Sequence, residues 1–423
     1  LATFSPRAVI IMSLHRKIRS LVERHVVVPH LIRRAQRATA DRPRTRGVLI
    51  MGWYGRETTG DKAILASLLH NIAGHSVRIL KSTYDVDYSR QTLNEIEAPT
   101  VRCLPNDIAS FLKALDGVDV VVIGGGPLKE SGQMLEWSMR VALAKSLGKK
   151  IMVYGCGIGP LHSAQARRHV AQILRLADRI TLRDAIAVKN AIELGIPADR
   201  ITLAADPAMG LLTPSVIFAD RNVEPLRIGV SLRRLSKHYA PTGRTIEATR
   251  QESALHDAVK CTVRRVLQTH PTQVRLVPMA LRPEDDDRAV LRQLHAGLGQ
   301  DPRISLIEHY ASPAALLEHF RGFDFFVAMR FHSAVFAMLS QVPLVAIDYD
   351  SQGGKTTGLM EAMGLSEFVL NIADATPERL WALVDKGLSQ RAAIARRIAE
   401  NLPALRDRER ANGTMLRELL NAA

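Results

Sequence analysis

Between residues 47 and 347 short runs of β-branched and apolar residues alternate with stretches of helical period, and this alternation constrains the fold more than any other feature of the chain. Strand-like runs fall at 48–51, 77–80, 119–123, 151–154 and 180–182. Helical stretches separate them at 61–72, with Ala63, Ile64, Leu65, Leu68 and Leu69 as its apolar positions, at 141–147 and at 166–176. The pattern breaks through 211–224, which contains Pro214 and Asp220 and is followed by Pro225. Strands then resume at 227–232, 273–278, 304–307, 324–327 and 343–347, and residues 379–420 read as mostly helical and charged. A strand–helix–strand order of this kind builds a parallel sheet covered by helices on both faces. The chain is therefore expected to form two doubly wound α/β domains, residues 47–210 and 227–423, joined by a linker at 211–226. The carboxyl ends of the two sheets would face a cleft, where such folds bind ligands.

A length of 423 residues suffices for two or three domain cores, and 47% hydrophobic with 23% charged residues is globular composition. No run approaches the ~18 apolar residues of a membrane span. Three scattered cysteines, Cys103, Cys156 and Cys261, exclude a disulfide framework and point to a reducing, cytoplasmic setting. The net charge is +15, but residues 1–47 hold eleven Lys/Arg against two acids, a net of +9, which leaves +6 for the rest. Residues 1–46 thus read as a basic arm. Between residues 12 and 37 its apolar positions recur at steps of three and four, interrupted at Pro29, as in an amphipathic helix. Such a helix lies on an anionic membrane surface, at about 1 kcal/mol per Lys/Arg, or packs as a solvated leader on the body. The apolar run at 8–12 is shorter than the core of a secretory signal, so none is expected. An aromatic content of 5%, with no aromatic-rich basic face in the body, argues against nucleic acid.

The chemistry gathers where predicted strands end. Gly52-Trp-Tyr-Gly-Arg-Glu-Thr-Thr-Gly-Asp61 follows a strand and opens a helix, whose first N–H groups suit an anion. Trp53 and Tyr54 there could stack on a sugar ring, while Asp61 could be a cap. Gly124, Gly125 and Gly126 end one strand, and Gly157 and Gly159 follow the next, all expected to let backbone approach a ligand. Cys156 reads as a small buried residue rather than a nucleophile. Arg183 closes a further strand, where its guanidinium could grip a carboxylate or phosphate bidentately. Asp206-Pro207 is explained sufficiently by a bend, and Glu284–Asp287 by a helix start. The sharpest feature is Ala328-Met-Arg-Phe-His-Ser333, which sets Arg330, Phe331 and His332 at a strand-to-helix junction with a group able to move protons near neutrality. Lys355 follows a later strand and a Gly pair. Dispersed histidines without ligand spacing give no metal site.

In their order and spacing these pieces resemble the polysaccharide pyruvyltransferase family: Gly60-Asp61 with Ala63-Ile64-Leu65, Gly124–Gly126, Gly157-Ile-Gly-Pro160, Leu182-Arg183-Asp184, Arg330-Phe331-His332, and Tyr349 with Lys355. The resemblance spans roughly residues 47–365. Two departures, Arg56-Glu-Thr-Thr59 and Lys62, lie on the expected acceptor side. The resemblance implies a GT-B-like fold of two Rossmann-like domains. It implies phosphoenolpyruvate as donor, and as acceptor a sugar with two suitably placed hydroxyls, often on a lipid-linked precursor. It assigns Arg183, Arg330 and His332 to donor binding or catalysis, and the chemistry requires no redox cofactor or metal. His332 would protonate the enol methylene, and Asp61 would orient or deprotonate the acceptor hydroxyl. The arm would hold the enzyme at the inner face of the membrane. Two other readings remain open on sequence alone: a GT-B glycosyltransferase using a nucleotide sugar, and a non-enzymatic binder of RNA or other polyanions.

Overall fold

The computed structural model describes residues 47–55, 58–73, 78–211, 224–235, 245–349 and 354–422. The basic arm and most of the 211–226 linker lie outside them.

Seven parallel strands form the first sheet: β1 (Gly47–Gly52), β2 (Arg78–Thr83), β3 (Arg102–Pro105), β4 (Val120–Gly124), β5 (Lys150–Cys156), β6 (Arg179–Leu182) and β7 (Thr202–Leu203). They run in the order β3-β2-β1-β4-β5-β6-β7. The crossover helices are α1 (Thr59–Asn71), α2 (Val86–Glu95), α3 (Ile108–Leu115), α4 (Gln133–Ser146), α5 (Ala164–Leu176) and α6 (Ala185–Glu193). β1 and β4 are buried at every residue, which is why both read as unbroken apolar runs.

The second sheet repeats the plan. It contains β8 (Leu226–Ser231), β9 (Thr272–Leu276), β12 (Ile304–Leu306), β13 (Phe325–Ala328), β14 (Leu344–Asp348) and β15 (Val369–Asn371), in the order β12-β9-β8-β13-β14-β15. A small antiparallel hairpin, β10 (Leu281–Arg282) with β11 (Asp285–Asp286), projects between β9 and β12. Its helices are α7 (Thr245–Thr269), α8 (Asp287–Gly297), α9 (Pro313–Arg321), α10 (Phe331–Leu339), α11 (Lys355–Ala362), α12 (Pro377–Ser389) and α13 (Arg391–Asn421). In each sheet the strand order reverses beside the first strand of its domain, between β1 and β4 and between β8 and β13. A crevice opens at that point in doubly wound sheets.

The two domains are joined by more than a linker. Ala63 and Ile64 of α1, together with Ala208 and Met209, belong to the same apolar cluster as the second sheet. Thr59 N donates to Met279 O at 3.0 Å, and the Thr59 hydroxyl meets that of Tyr310. The last helix, counted with the second domain in the sequence, spans both. Leu402 and Leu405 of α13 pack in the second domain's cluster, whereas Leu416, Leu419 and Leu420 close the first sheet's core beside Val48, Ile50 and Val120. Along that crossing Asn412 Nδ2 donates to Ala205 O at 3.0 Å and Arg417 Nη1 to Asn71 O at 3.0 Å. Among the described residues no helix is long and apolar enough to cross a membrane.

Glu409 lies in this crossing, buried, with Ser67 Oγ donating to its Oε1 at 3.2 Å. Burial pushes its carboxyl up to about 7, against the opposing hydrogen bonds of Ser67 and Asn71. The folded chain therefore retains a proton that the unfolded chain releases from about pH 4.5 upward, so this group's cost grows between about pH 4.5 and 7 and is constant above that. Glu409→Gln should raise stability at pH 8 by up to about 3 kcal/mol and change it little at pH 4, as read by urea denaturation at the two pH values.

Candidate active site

The functional side chains stand where strands give way to loops at the facing edges of the two sheets. β6 ends at Leu182 and delivers Arg183 and Asp184, and Asp184 then caps α6 by accepting from Ala187 N at 2.6 Å. Beyond β7 the chain places Asp206 at the start of a 3-10 turn, Pro207–Gly210, where it accepts from Ala208 N at 3.0 Å. In the second domain Arg330 is the N-cap residue of α10, and His332 rides in the first turn of that helix.

Arg183, Asp206 and His332 form one buried charge cluster across the domain boundary. Arg183 Nη1 donates to Asp206 Oδ2 at 2.9 Å, and its Nε to Asp184 Oδ2 at 3.4 Å. Asp206 Oδ1 lies 3.6 Å from His332 Nε2, an ion-pair distance longer than a hydrogen bond. Arg183 and Asp206 side chains are each 2% exposed, His332 13%. Burial alone would push the Asp206 carboxyl up. The charge of His332, and then that of Arg183, outweighs burial and holds it well below the usual carboxylate range. Arg183 is likewise kept charged, because Asp206 and Asp184 outweigh its own burial.

Two of the predicted glycines are explained by these side chains. A Cβ on Gly60 would lie 1.9 Å from His332 Nδ1, and one on Gly157 would lie 2.7 Å from Arg183 Nη2. Each glycine lets a charged group from elsewhere close against backbone. Phe331 completes the cluster: the Arg183 guanidinium stacks 4.6 Å from its ring centroid, and Lys355 Nζ stands 5.4 Å from the same ring.

Arg330 occupies a second, adjoining cluster. Its Nε donates to Asp287 Oδ2 at 3.0 Å, and its Nη2 donates to Asp287 Oδ1 at 2.6 Å and Asp285 Oδ1 at 2.9 Å. Asp287 is fixed in turn by Met279 N and Ala280 N, both at 3.0 Å from Oδ2. Burial disfavours the Arg330 charge, but Asp287 and then Asp285 outweigh it. Arg233, following β8, lies 3.7 Å from Asp285, whose side chain is 44% exposed. An anion approaching Arg330 or Arg233 therefore competes with Asp285.

The remaining predicted residues divide. Trp53 is half-buried beside the site, donating from Nε1 to Pro127 O at 3.1 Å, and a Cβ on Gly126 would strike its Cδ1 at 2.8 Å. Tyr54 does not face a ligand. Its ring is wholly buried under the glycine triplet, with Lys81 Nζ 4.9 Å from its centroid. Gly55, at φ +86°, turns the chain against residues 83–85, where a Cβ would lie 2.3 Å from Asp85 N. Gly125, at φ +72°, has no Cβ to strike that ring, and Gly124 touches Tyr54 and Tyr154 at ordinary contact distance. The Asp61 carboxylate caps α1: its Oδ2 accepts from Thr58 N at 3.0 Å and Thr58 Oγ1 at 2.9 Å, while its Oδ1 faces the Gly126 side of the cleft. Gly159, at φ +98°, shapes the loop after β5, where its N donates to Leu128 O at 2.9 Å. Cys156 is buried, and burial pushes its thiol up to about 12, so it is inert near neutrality.

Asp206, Asp285, Asp287 and Arg233 were not singled out from the sequence. Asp206 had a bend to explain it, and the 285–287 acids a helix start. Both explanations hold, since Asp286 caps α8, yet neither exhausts the residues. The available signal was position, as Asp206 and Arg233 each follow a strand just as Arg183 does. Among the described residues no group of three His, Cys, Asp or Glu side chains could hold a metal ion.

Comparison with known proteins bears on the family and the fold. The sequence profile of the polysaccharide pyruvyl transferase family matches residues 59–351. The amylovoran biosynthesis protein AmsJ of Erwinia amylovora is 22% identical over 310 residues, covering 70% of this chain and 72% of that protein. Among solved structures, Alr3699/HepE of Anabaena in complex with UDP-glucose aligns over 89% of this chain and all of its own, with TM-score 0.59 and 16% identity. The UDP-GlcNAc 2-epimerase of Neisseria meningitidis bound to UDP-GlcNAc aligns over 90% of this chain and all of its own, with TM-score 0.58 and 10% identity. At such identities the likeness shows the fold alone, and that fold is GT-B-like, with two Rossmann-like domains.

Two variants test the cluster. Gly60→Ala should abolish turnover while leaving the protein folded, since alanine favours a helix by up to about 1 kcal/mol and the three atoms nearest the new Cβ all belong to the His332 ring. Circular dichroism and an activity assay separate the two effects. Asp206→Ala leaves Arg183 with only the longer 3.4 Å pair to Asp184 and should lower unfolding stability by up to about 3 kcal/mol in chemical denaturation.

Proposed function

Since the chain belongs to the polysaccharide pyruvyl transferase family, we propose that it transfers the enolpyruvyl group of phosphoenolpyruvate to two hydroxyls of one sugar, leaving a pyruvate ketal on a lipid-linked polysaccharide precursor. The observation that carries this reading is the meeting of His332 from one domain with Arg183 and Asp206 from the other, in the cleft between the sheets.

Phosphoenolpyruvate is an enol ester that resists attack at C2 until its methylene carbon is protonated. In this reading the His332 imidazolium delivers that proton and makes a methyl group. The first sugar hydroxyl adds to C2 and returns a proton to the imidazole. The C2–O bond to phosphate then breaks, the second hydroxyl closes the ketal, and its proton leaves with the phosphate. Arg183 and Arg330 bind the anionic ends of the donor, and Asp206 holds the imidazole in place from the Nε2 side. Asp61, already engaged with Thr58, orients the acceptor from the Gly126 side, with Trp53 as an apolar wall. The chemistry calls for no redox cofactor. The basic arm, residues 12–37, would hold the enzyme on the anionic inner face of the cell membrane, where a lipid-linked acceptor resides.

Purified protein should melt at a higher temperature in millimolar phosphoenolpyruvate, by an amount set by RT ln(1 + [L]/Kd), and show no shift with UDP-glucose or GDP-mannose. Arg183→Ala should remove the shift. His332→Gln should retain it while turnover falls by about a hundredfold or more. A shift with a nucleotide sugar alone would overturn pyruvyl transfer.

A further inference from the structure

Asp206 is carried by the segment 204–210, and two parts of the protein hold that segment. The first sheet ties down its start, where Ala204 N donates to Leu182 O at 2.8 Å, next to Arg183. Pro207 rests on Gly155 at the end of β5, where a Cβ would collide with the proline ring. The rest comes from the crossing helix α13. The Ala205 carbonyl, immediately before Asp206, is buried and accepts from Asn412 Nδ2 at 3.0 Å. At the far end of the turn Glu409 closes on Gly210, where a Cβ would lie 2.7 Å from its Cδ.

The same stretch of α13 docks on α1. Ser67 Oγ donates to Glu409 Oε1, and Gly413 stands where a Cβ would meet the Asn71 side chain. α1 is also the helix whose Gly60 lies against the His332 ring. Residues 409–413 thus hold both first-domain elements that bear on the Asp206–His332 pair.

Asn412 is an expensive way to fill this space. It is wholly buried, and its Oδ1 has no hydrogen-bond partner among the described residues. An amide oxygen left unpaired in the interior is a cost that an apolar side chain of similar volume would not carry. What the asparagine supplies in return is a single donor, at the carbonyl that precedes Asp206.

We propose that Asn412 is a positioning residue for the site: by holding the Ala205 carbonyl it fixes the backbone under Asp206, and with it the 3.6 Å approach of Asp206 Oδ1 to His332 Nε2. Without that donor a buried carbonyl is left unpaired, and the turn shifts to reach another partner. Arg183 is less affected, because Asp184 at 3.4 Å and the Phe331 ring at 4.6 Å still hold it. The loss therefore falls on His332 and not on binding of an anion by Arg183. In one respect the proposal rests on the pyruvyl-transfer reading, which makes His332 the proton donor. Asn412 lies outside the segment 59–351 that the family profile matches.

Nuclear magnetic resonance of the full chain, with histidine rings labelled with carbon-13, reads this placement without any substrate. The His332 signal is the one that disappears in His332→Gln. It should shift in Asn412→Ala, and equally in Asn412→Leu, which restores the volume but cannot donate. Leu416→Ala, in the same helix but packed on the first sheet's core, should lower the melting temperature and leave the His332 signal in place. In turnover, both Asn412 variants should lose about tenfold or more in kcat with KM for phosphoenolpyruvate nearly unchanged. A His332 signal that stays put in a folded Asn412 variant, or that Leu416→Ala moves as far, would overturn the proposal. Failure of the pyruvyl-transfer reading looks different: the signal would still follow Asn412, while no pyruvylated sugar would form.

Discussion

The candidate site depends on one buried contact, in which Asp206 stands between Arg183 of its own domain and His332 of the other. Removing such charges from water costs several kcal/mol per ion, and only close, well-oriented partners recover it. The chain therefore needs backbone that yields to them. Gly157 clears the way for the guanidinium and Gly60 for the imidazole, while Phe331 offers its ring face to Arg183. The cluster forms only when the two sheets face each other as they do here. Domain arrangement and the placement of His332 against Asp206 are thus one property of the fold.

Arg330 shows the same logic with a different result. It is held by a carboxylate that is itself held by two backbone N–H groups, a rigid chain of bonds reaching back to the loop after β9. The half-exposed Asp285 then caps its open side. A resting charge pair of this kind holds the guanidinium in one orientation, and any anion meeting it would have to displace a carboxylate.

The fold was largely legible in the sequence because buried parallel strands must be apolar along their whole length. β1, β4, β5, β13 and β14 all announced themselves in this way. β3, β7 and β15 did not, since an edge strand is only partly buried and carries no such run; β3 ends on a proline that an edge tolerates. In the site, Arg183 and His332 were legible from their position at strand ends. The aromatic pair Trp53-Tyr54 was read as one unit, although neighbours leaving a strand point to opposite sides, which puts Tyr54 in the core and leaves Trp53 half-buried. Asp206 was hidden for another reason. One of its two partners, His332, lies in the other domain, more than a hundred residues away, and no local pattern encodes such a pairing.

The crossing helix has a consequence for how the protein is made. Leu416, Leu419 and Leu420 complete the apolar core around β1 and β4, yet they leave the ribosome after the whole second domain. Domains ordinarily fold in the order of their synthesis. Here the earlier of the two domains must wait with an unsealed apolar face until a helix made after the second sheet arrives and closes it.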